Sequence, residues 1–157
     1  KIGHGFDAHQ LALNESFILG GISIDFEKGI KGHSDGDVLV HSIIDSLLGA
    51  INEGDIGSLF PPSKKNQNIS SLKLLEQVGE LLSQKYFDII NIDTTIILQE
   101  PKIVNYRNQI KKNICSILNI NQSQLSIKAT TTDGLGFIGL GEGIASHAIS
   151  LIKYHGS

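Results

Sequence analysis

Apolar residues at Val38, Leu39, Ile43, Ile44, Leu47 and Leu48 recur with the spacing of one helix face, so a helix is predicted after Asp35-Gly36-Asp37. Ser34, with Asp37 three positions on, nearly has the form of a capping box. A second helix is marked by Leu72, Leu74, Leu75, Val78, Leu81 and Leu82 after Ser70 and Ser71, and a third runs roughly from Val104 to Leu118, with Pro101 near its entry. Between the first two, Gly49 to Asn68 reads as a loop. Strand patterns occupy the N-terminal segment, Phe17–Ile24, Asn91–Leu98 and Leu125–Thr130, the first two joined by a polar turn. Gly134, Gly136, Gly139, Gly141 and Gly143 mark a glycine-rich turn. Ile144 to Tyr154 fits either a strand or a helix; Ser and Ala residues interleaved with Ile144, Ile149 and Ile152 favour a half-covered strand. This order predicts an α+β fold (α/β two-layer), with one mostly β-sheet layer covered by helices on one side. Nothing in the pattern splits the chain, so residues 1–157 are expected to form one domain.

Composition narrows the function classes. The chain is 40% hydrophobic and 18% charged, as a soluble globular domain is. A net charge of −3 argues against bulk nucleic-acid binding, which needs a basic face. It leaves room for a small phosphorylated substrate, because metal ions and backbone N–H groups supply positive field locally. Cys115 is alone, lies in an amphipathic stretch and is expected to be a buried, reduced thiol. No apolar run reaches the ~18–20 residues of a membrane span and no signal sequence is visible, so a cytoplasmic location is expected.

The chemistry concentrates in a few polar segments. Asp7 and His9 alternate with Ala8, so on a strand both side chains face the same way. His41, in the first turns of the first helix, completes a carboxylate and two imidazoles, the ligand set of a catalytic zinc with one open position. Asp45, one turn after His41, either orients that imidazole or is a solvated helix residue. His33-Ser34 precedes the helix N-terminus, where anions are favoured. Gly54-Asp55-Ile56-Gly57 puts an acid in a tight turn, Gln99-Glu100-Pro101-Lys102 leaves a strand, and Thr130-Thr131-Thr132-Asp133 closes another with hydroxyls and a carboxylate. Together these point to a phosphate-handling metalloenzyme.

The same residues carry a resemblance. Gly3-His-Gly-Phe-Asp-Ala-His9, His33-Ser-Asp-Gly-Asp37 through His41, Gly54-Asp-Ile-Gly57 with Leu59-Phe-Pro61, Pro101-Lys102, Lys128-Ala-Thr-Thr-Thr132, Leu135-Gly-Phe137 and Gly141-Glu-Gly-Ile144 span nearly the whole chain. In that order they resemble the 2-C-methyl-D-erythritol 2,4-cyclodiphosphate synthases. The resemblance implies a homotrimer with active sites between subunits and a cytidine diphosphate substrate, with no nucleic acid and no membrane. It implies one Zn²⁺ per subunit on Asp7, His9 and His41, and Mg²⁺ or Mn²⁺ bound with substrate at Asp133. His33, Thr131 and Asp133 take the catalytic positions. Asp7, His9, His33, Ser34, Asp55, Gly57, Phe60, Lys102, Ala129, Thr130, Thr131 and Phe137 take substrate-binding ones. Three departures stand out: Asp133 replaces a frequent Glu, Pro62-Ser63 a Pro-Asp type pair, and Leu140 an Arg that in some members faces a central cavity holding an isoprenoid diphosphate. A phosphoester-cleaving zinc hydrolase and a non-catalytic trimeric nucleotide- or isoprenoid-binding protein are the rival readings.

Overall fold

The structure, a computed structural model, describes residues 1–32, 34–61 and 69–156. Its main sheet has five strands, β1 (Ile2–Leu13), β4 (Lys28–Lys31), β5 (Phe87–Ile97), β6 (Leu125–Thr130) and β7 (Gly143–Tyr154), in the order β4-β1-β7-β5-β6. All neighbours are antiparallel except β5 and β6. The helices are α1 (Val38–Ile51), a short α2 (Ile56–Leu59), α3 (Ser71–Gln84), α4 (Arg107–Leu118) and a single turn, α5 (Gly136–Gly139). Helices α1, α3 and α4 cover one face of the sheet, as the two-layer expectation requires.

Alternation along β1 sorts its side chains between the two faces. Gly3, Gly5, Asp7, His9 and Leu11 face the helices, while Ile2, His4 and Phe6 face away. On β7, Ile144, Ser146, Ala148, Ser150 and Ile152 face the helices, leaving His147, Ile149 and Leu151 on the open face. The core between sheet and helices is built from Leu39, Ile43, Ile44, Leu47, Leu75, Ile92, Ile96, Ile110 and Ile114, each fully buried. Helix α1 lies close upon β1 because Gly3 and Gly5 put no side chain beneath it. A Cβ on Gly3 would stand 1.7 Å from the Ser46 carbonyl oxygen, and one on Gly5 would stand 1.9 Å from that of Ser42. Small residues on β7 continue the contact. Ser42 Oγ and Ser146 Oγ are 2.9 Å apart, and Ser150 Oγ donates to the Ser46 carbonyl at 3.0 Å.

The sequence expectations meet several local corrections. Phe17–Ile24 is not one strand: the chain reverses at Gly20 and Gly21, both at positive φ, giving the two-residue strands β2 (Ile18–Leu19) and β3 (Ile22–Ser23) outside the main sheet. The edge strand β4 went unpredicted, and β5 starts at Phe87 rather than Asn91. Helix α1 extends into the predicted loop, which also contains α2; the rest of that loop, 62–68, lies outside the described residues. Helix α4 starts at Arg107, after a turn closed by Tyr106 N–H to the Ile103 carbonyl. Asp37, not Ser34, caps α1, accepting from Val40 N–H at 3.1 Å. Residues 143–154 form the strand. Cys115 is buried, and burial pushes its thiol pKa up.

Candidate metal centre

Asp7, His9 and His41 come together because α1 sits low over β1. Asp7 and His9 share the helix-facing side of the strand, and His41 in the first turn of α1 points down at them. Each offers one ligand atom, and these atoms lie within 4.8 Å of one another. Both ring nitrogens converge on one carboxylate oxygen: His9 Nδ1 is 3.0 Å and His41 Nδ1 3.1 Å from Asp7 Oδ2. The His9 contact is close but not aligned as a hydrogen bond, so that buried nitrogen has no hydrogen-bond partner. A buried, unpaired imidazole nitrogen aimed at a carboxylate oxygen is what a cation bound by both would explain. The three side chains remain 13–24% exposed, enough for a ligand to reach an ion held there.

Electrostatics agrees with the geometry. Burial alone would raise the Asp7 pKa, but the hydrogen bond with His41 and the close approach and charge of both imidazoles prevail and hold it below the usual carboxylate range. Burial alone would lower His41, but the hydrogen bond and charge of Asp7, with Asp37 and Asp35 beyond, raise it. Beside His9, a cavity of about 560 Å³ opens, lined by Lys28, Phe137 and Glu142 among others.

The other predicted residues fall into three groups. Asp55 caps α2, accepting from Ser58 N–H at 2.7 Å, and its bonds to Ser58 lower its pKa; Gly57 lies in that helix and Phe60 closes it. Asp45 resolves neither as expected: it accepts from Ile56 N–H at 2.8 Å, tying α2 to α1, and burial raises its pKa. The second group stands apart from the triad. Through the paired register, Asp7 aligns with Ser146, then Ile96, then Ala129, so Ala129 lies in the same row but three strands away, about 14 Å. Thr130 ends β6. Thr131 Oγ1 then meets both Asp133 Oδ1 and Asp133 N at 3.2 Å, in a turn where Asp133 has φ 52°. Lys102 is exposed in the segment after β5, the neighbour of β6. Within one chain the structure therefore does not unite Ala129, Thr130, Thr131 or Asp133 with the Asp7, His9 and His41 triad. The third group is His33 and Pro62-Ser63, which lie outside the described residues; Ser34 is exposed, and its Oγ accepts from Gly36 N–H at 3.4 Å.

Sequence reasoning missed Ser71. Its Oγ lies 2.8 Å from His41 Nε2, and the residue is fully buried at the start of α3. A serine pair before an amphipathic run reads only as a helix start, so no local signal separates this role from capping.

The chain has clear relatives among known proteins. The YgbB family matches residues 1–153. The chain is 54% identical over 153 residues to the 2-C-methyl-D-erythritol 2,4-cyclodiphosphate synthase of Clostridium acetobutylicum, covering 97% of this chain and 99% of that one. It is 52% identical over 153 residues to the protein of the same name from Caldicellulosiruptor bescii, covering 97% and 98%. Among solved structures, the IspF–CDP complex of Plasmodium falciparum superposes with a TM-score of 0.89 at 40% identity, covering 99% of this chain and 97% of that one. A CDP-bound 2C-methyl-D-erythritol-2,4-cyclodiphosphate synthase superposes with a TM-score of 0.90 at 26% identity, covering 98% and 100%. With its matching sequence and fold, the chain belongs to the YgbB family, that of the 2-C-methyl-D-erythritol 2,4-cyclodiphosphate synthases.

Proposed function

We propose that the triad of Asp7, His9 and His41 is the zinc-binding half of a phosphate clamp that serves the reaction from which the family takes its name. In that reaction 4-diphosphocytidyl-2-C-methyl-D-erythritol 2-phosphate cyclises to 2-C-methyl-D-erythritol 2,4-cyclodiphosphate, releasing CMP, in non-mevalonate isoprenoid synthesis. An oxygen of the 2-phosphate forms a bond to the β-phosphorus, and the bond from that phosphorus to the oxygen bridging to the α-phosphate breaks. CMP leaves with that oxygen. The observation that carries the reading is the convergence of two Nδ1 atoms on Asp7 Oδ2.

The attacking group is already an anion near neutral pH, since a phosphate monoester has its second pKa near ~6. Little proton transfer is required. The obstacles are repulsion between anions and the entropy of ring closure, both met by positioning and fixed positive field. A zinc ion on the triad would supply positive charge and an open position for a phosphate oxygen. His33, Ser34, Asp55, Gly57, Phe60 and Phe137 fit contacts to the diphosphate, methylerythritol and ribose. Lys102, Ala129, Thr130 and Thr131 fit contacts to cytosine and phosphate, with a second divalent ion, Mg²⁺ or Mn²⁺, at Asp133 and with His33 and Thr131 beside the reacting phosphates.

The about 14 Å between the Asp7 and Ala129 edges of one sheet is the reason to read the site as shared between subunits. A head-to-tail ring sets one copy's β6 side against the next copy's β1 side. The open face supports it: Ile2, Phe6, Ile149 and Leu151 are 73, 51, 50 and 41% exposed on β1 and β7, an apolar surface suited to burial between copies. We read the assembly as the homotrimer, formed from a single domain and acting in the cytoplasm. Among the described residues no helix is long and apolar enough to cross a membrane.

The test is to incubate the protein and its His41→Ala variant with the diphosphocytidyl substrate and Mg²⁺, following products by mass spectrometry. The wild type should yield CMP and the cyclic diphosphate without inorganic phosphate, and the variant neither. Inorganic phosphate as product would favour a zinc hydrolase, and full activity of the variant without zinc would sink the metal assignment.

A further inference from the structure

The metal ligands account for one nitrogen of His41; the other is held from behind by groups with no part in the reading above. His41 Nε2 faces Ser71 Oγ at 2.8 Å, and Ser71 Oγ in turn hydrogen-bonds Asp35 Oδ1. The second oxygen of the same carboxylate, Asp35 Oδ2, accepts from the backbone N–H of Ser71 at 2.9 Å. Ser71 is fully buried, so its hydroxyl has no water to turn to. Asp45, on the same helix as His41, is committed to Ile56 N–H and does not compete for the ring.

Donor and acceptor arithmetic gives this chain a direction. A carboxylate only accepts, so the Ser71 hydroxyl proton points at Asp35, and the lone pairs of Ser71 Oγ remain for His41. Nε2 must then carry its proton and donate. In the neutral ring that leaves the lone pair on Nδ1, the nitrogen 3.1 Å from Asp7 Oδ2. Two acceptors that face one another at that distance are stable around a cation and unfavourable without one. The ring is therefore set in the tautomer and orientation that a metal ligand needs, with a carboxylate raising its basicity through one hydroxyl.

We propose that Asp35 and Ser71 are positioning residues for metal binding: they form a relay that fixes the His41 ring with Nε2–H turned back and Nδ1 presented to the ion. The proposal rests on the reading of the triad as a metal site. It also assigns a purpose to the junction of the α1 and α3 N-termini, since Asp35 precedes one helix and Ser71 begins the other.

Two substitutions test it by different routes. Ser71→Ala removes the acceptor, so the ring loses its anchor. Asp35→Asn keeps the shape but reverses the polarity. The Ser71 N–H keeps the amide oxygen on its side, which turns the NH₂ toward Ser71 Oγ; only the longer 3.3 Å contact from Asp37 N–H to Oδ1 is set against it. The hydroxyl must then accept from both neighbours, and the charge assistance is lost. Zn²⁺ affinity of the full chain is measured by competition with a chromophoric chelator for wild type, Ser71→Ala, Asp35→Asn and His41→Ala. The His41 Nε2–H signal of the zinc-loaded proteins is followed by proton–nitrogen NMR. Both relay variants should bind Zn²⁺ roughly 10–100-fold more weakly. The Nε2–H signal, hydrogen-bonded and slow to exchange in the wild type, should move upfield in Asp35→Asn and exchange away in Ser71→Ala. A purely structural role would leave the Asp35→Asn signal in place. Wild-type affinity that depends on His41 but is unchanged by both relay substitutions overturns the relay alone. A wild type that binds no Zn²⁺, or binds it equally after His41→Ala, overturns the metal reading and the relay together. Should Ser71→Ala fail to fold by circular dichroism, Asp35→Asn decides.

Discussion

Gly5→Ala should damage the metal centre without touching any ligand. The added Cβ would stand 1.9 Å from the Ser42 carbonyl oxygen and 2.8 Å from Ser46 N, whereas ordinary contacts begin at 3.4 Å. Both obstacles are backbone, so no side chain can turn aside and α1 must retreat by about 1.5 Å along that direction, the difference of those two distances. His41 is the residue before Ser42, and Asp7 lies two positions along β1 on the same face. If the retreat falls along the line between ligands, the 3.1 Å from His41 Nδ1 to Asp7 Oδ2 grows toward about 4.6 Å. An ion with bonds of about 2.0–2.2 Å spans donors no more than roughly 4.3 Å apart, so the site is lost in that limit and strained short of it. The overpacking should also cost about 1–3 kcal/mol of stability, which includes the loosened Ser42–Ser146 contact. Gly49→Ala is the control on the same helix: nothing lies within 4 Å of its Cβ, and relief of helix glycine should stabilise by up to about 1 kcal/mol. Urea unfolding of the metal-free proteins gives stability, and chelator competition gives Zn²⁺ affinity. A Gly5→Ala protein with wild-type affinity and stability would refute the view that close helix–strand approach builds this centre.

Asp37→Ala should cost about 2–4 kcal/mol in urea unfolding, because it unpairs the N–H groups of Gly21 at 2.9 Å and Val40 at 3.1 Å; a cost below 1 kcal/mol would count against its capping role. Burial pushes the Asp37 carboxyl up to about 6, so its contribution to stability is complete below 3.8 and is lost as pH rises through about 6, on the order of 3 kcal/mol at most; Asp37→Asn should flatten the stability profile over that window. Zn²⁺ affinity should fall as pH drops through the raised pKa of His41, where protons compete for the ring, and a pH-independent affinity between about pH 5 and 8 would contradict the ligand assignment. Phe6→Asp on the open face should dissociate the proposed trimer in light scattering while leaving circular dichroism native; an intact trimer would place the interface elsewhere.

Much of this was legible from periodicity. Helix α1 was readable because its apolar positions keep helical spacing throughout, and the Asp7/His9 pair because strand alternation puts both on one side. What escaped has identifiable causes. Gly20 and Gly21 break an apolar run whose β-branched residues look continuous, so one expected strand became a hairpin. The four-residue β4 is too short to show a period and is held by pairing with β1, a contact made at a distance in sequence. Asp45 was a fair guess for the partner of His41 by helical spacing, yet the ring's second nitrogen turns to Ser71, thirty residues on, because α3 starts where α1 starts. Such partners depend on how helices are stacked, which local pattern does not encode.

The proposed division of the site across the sheet rests on the same packing. Glycines at Gly3 and Gly5 let α1 descend onto β1, and that descent fixes His41 against Asp7 within one chain, so the three side chains of the proposed metal half come together without a partner. The Thr130–Asp133 turn cannot join it, because β7 and β5 stand between, filled on the helix side by core residues such as Ala148, Ile92 and Ile96. A substrate that needs both halves must find the second on another copy. The open face of β1 and β7 offers the apolar surface to hold such a copy, and on β1 it is the reverse side of the strand that carries Asp7 and His9. In the proposed ring, burial of that face would therefore complete the site and stabilise the assembly in one step, so loss of the trimer by Phe6→Asp should remove turnover while Zn²⁺ affinity, set within one chain, stays near wild type. Weakened Zn²⁺ binding in the dissociated variant would mean that the metal half is itself shaped by the neighbour.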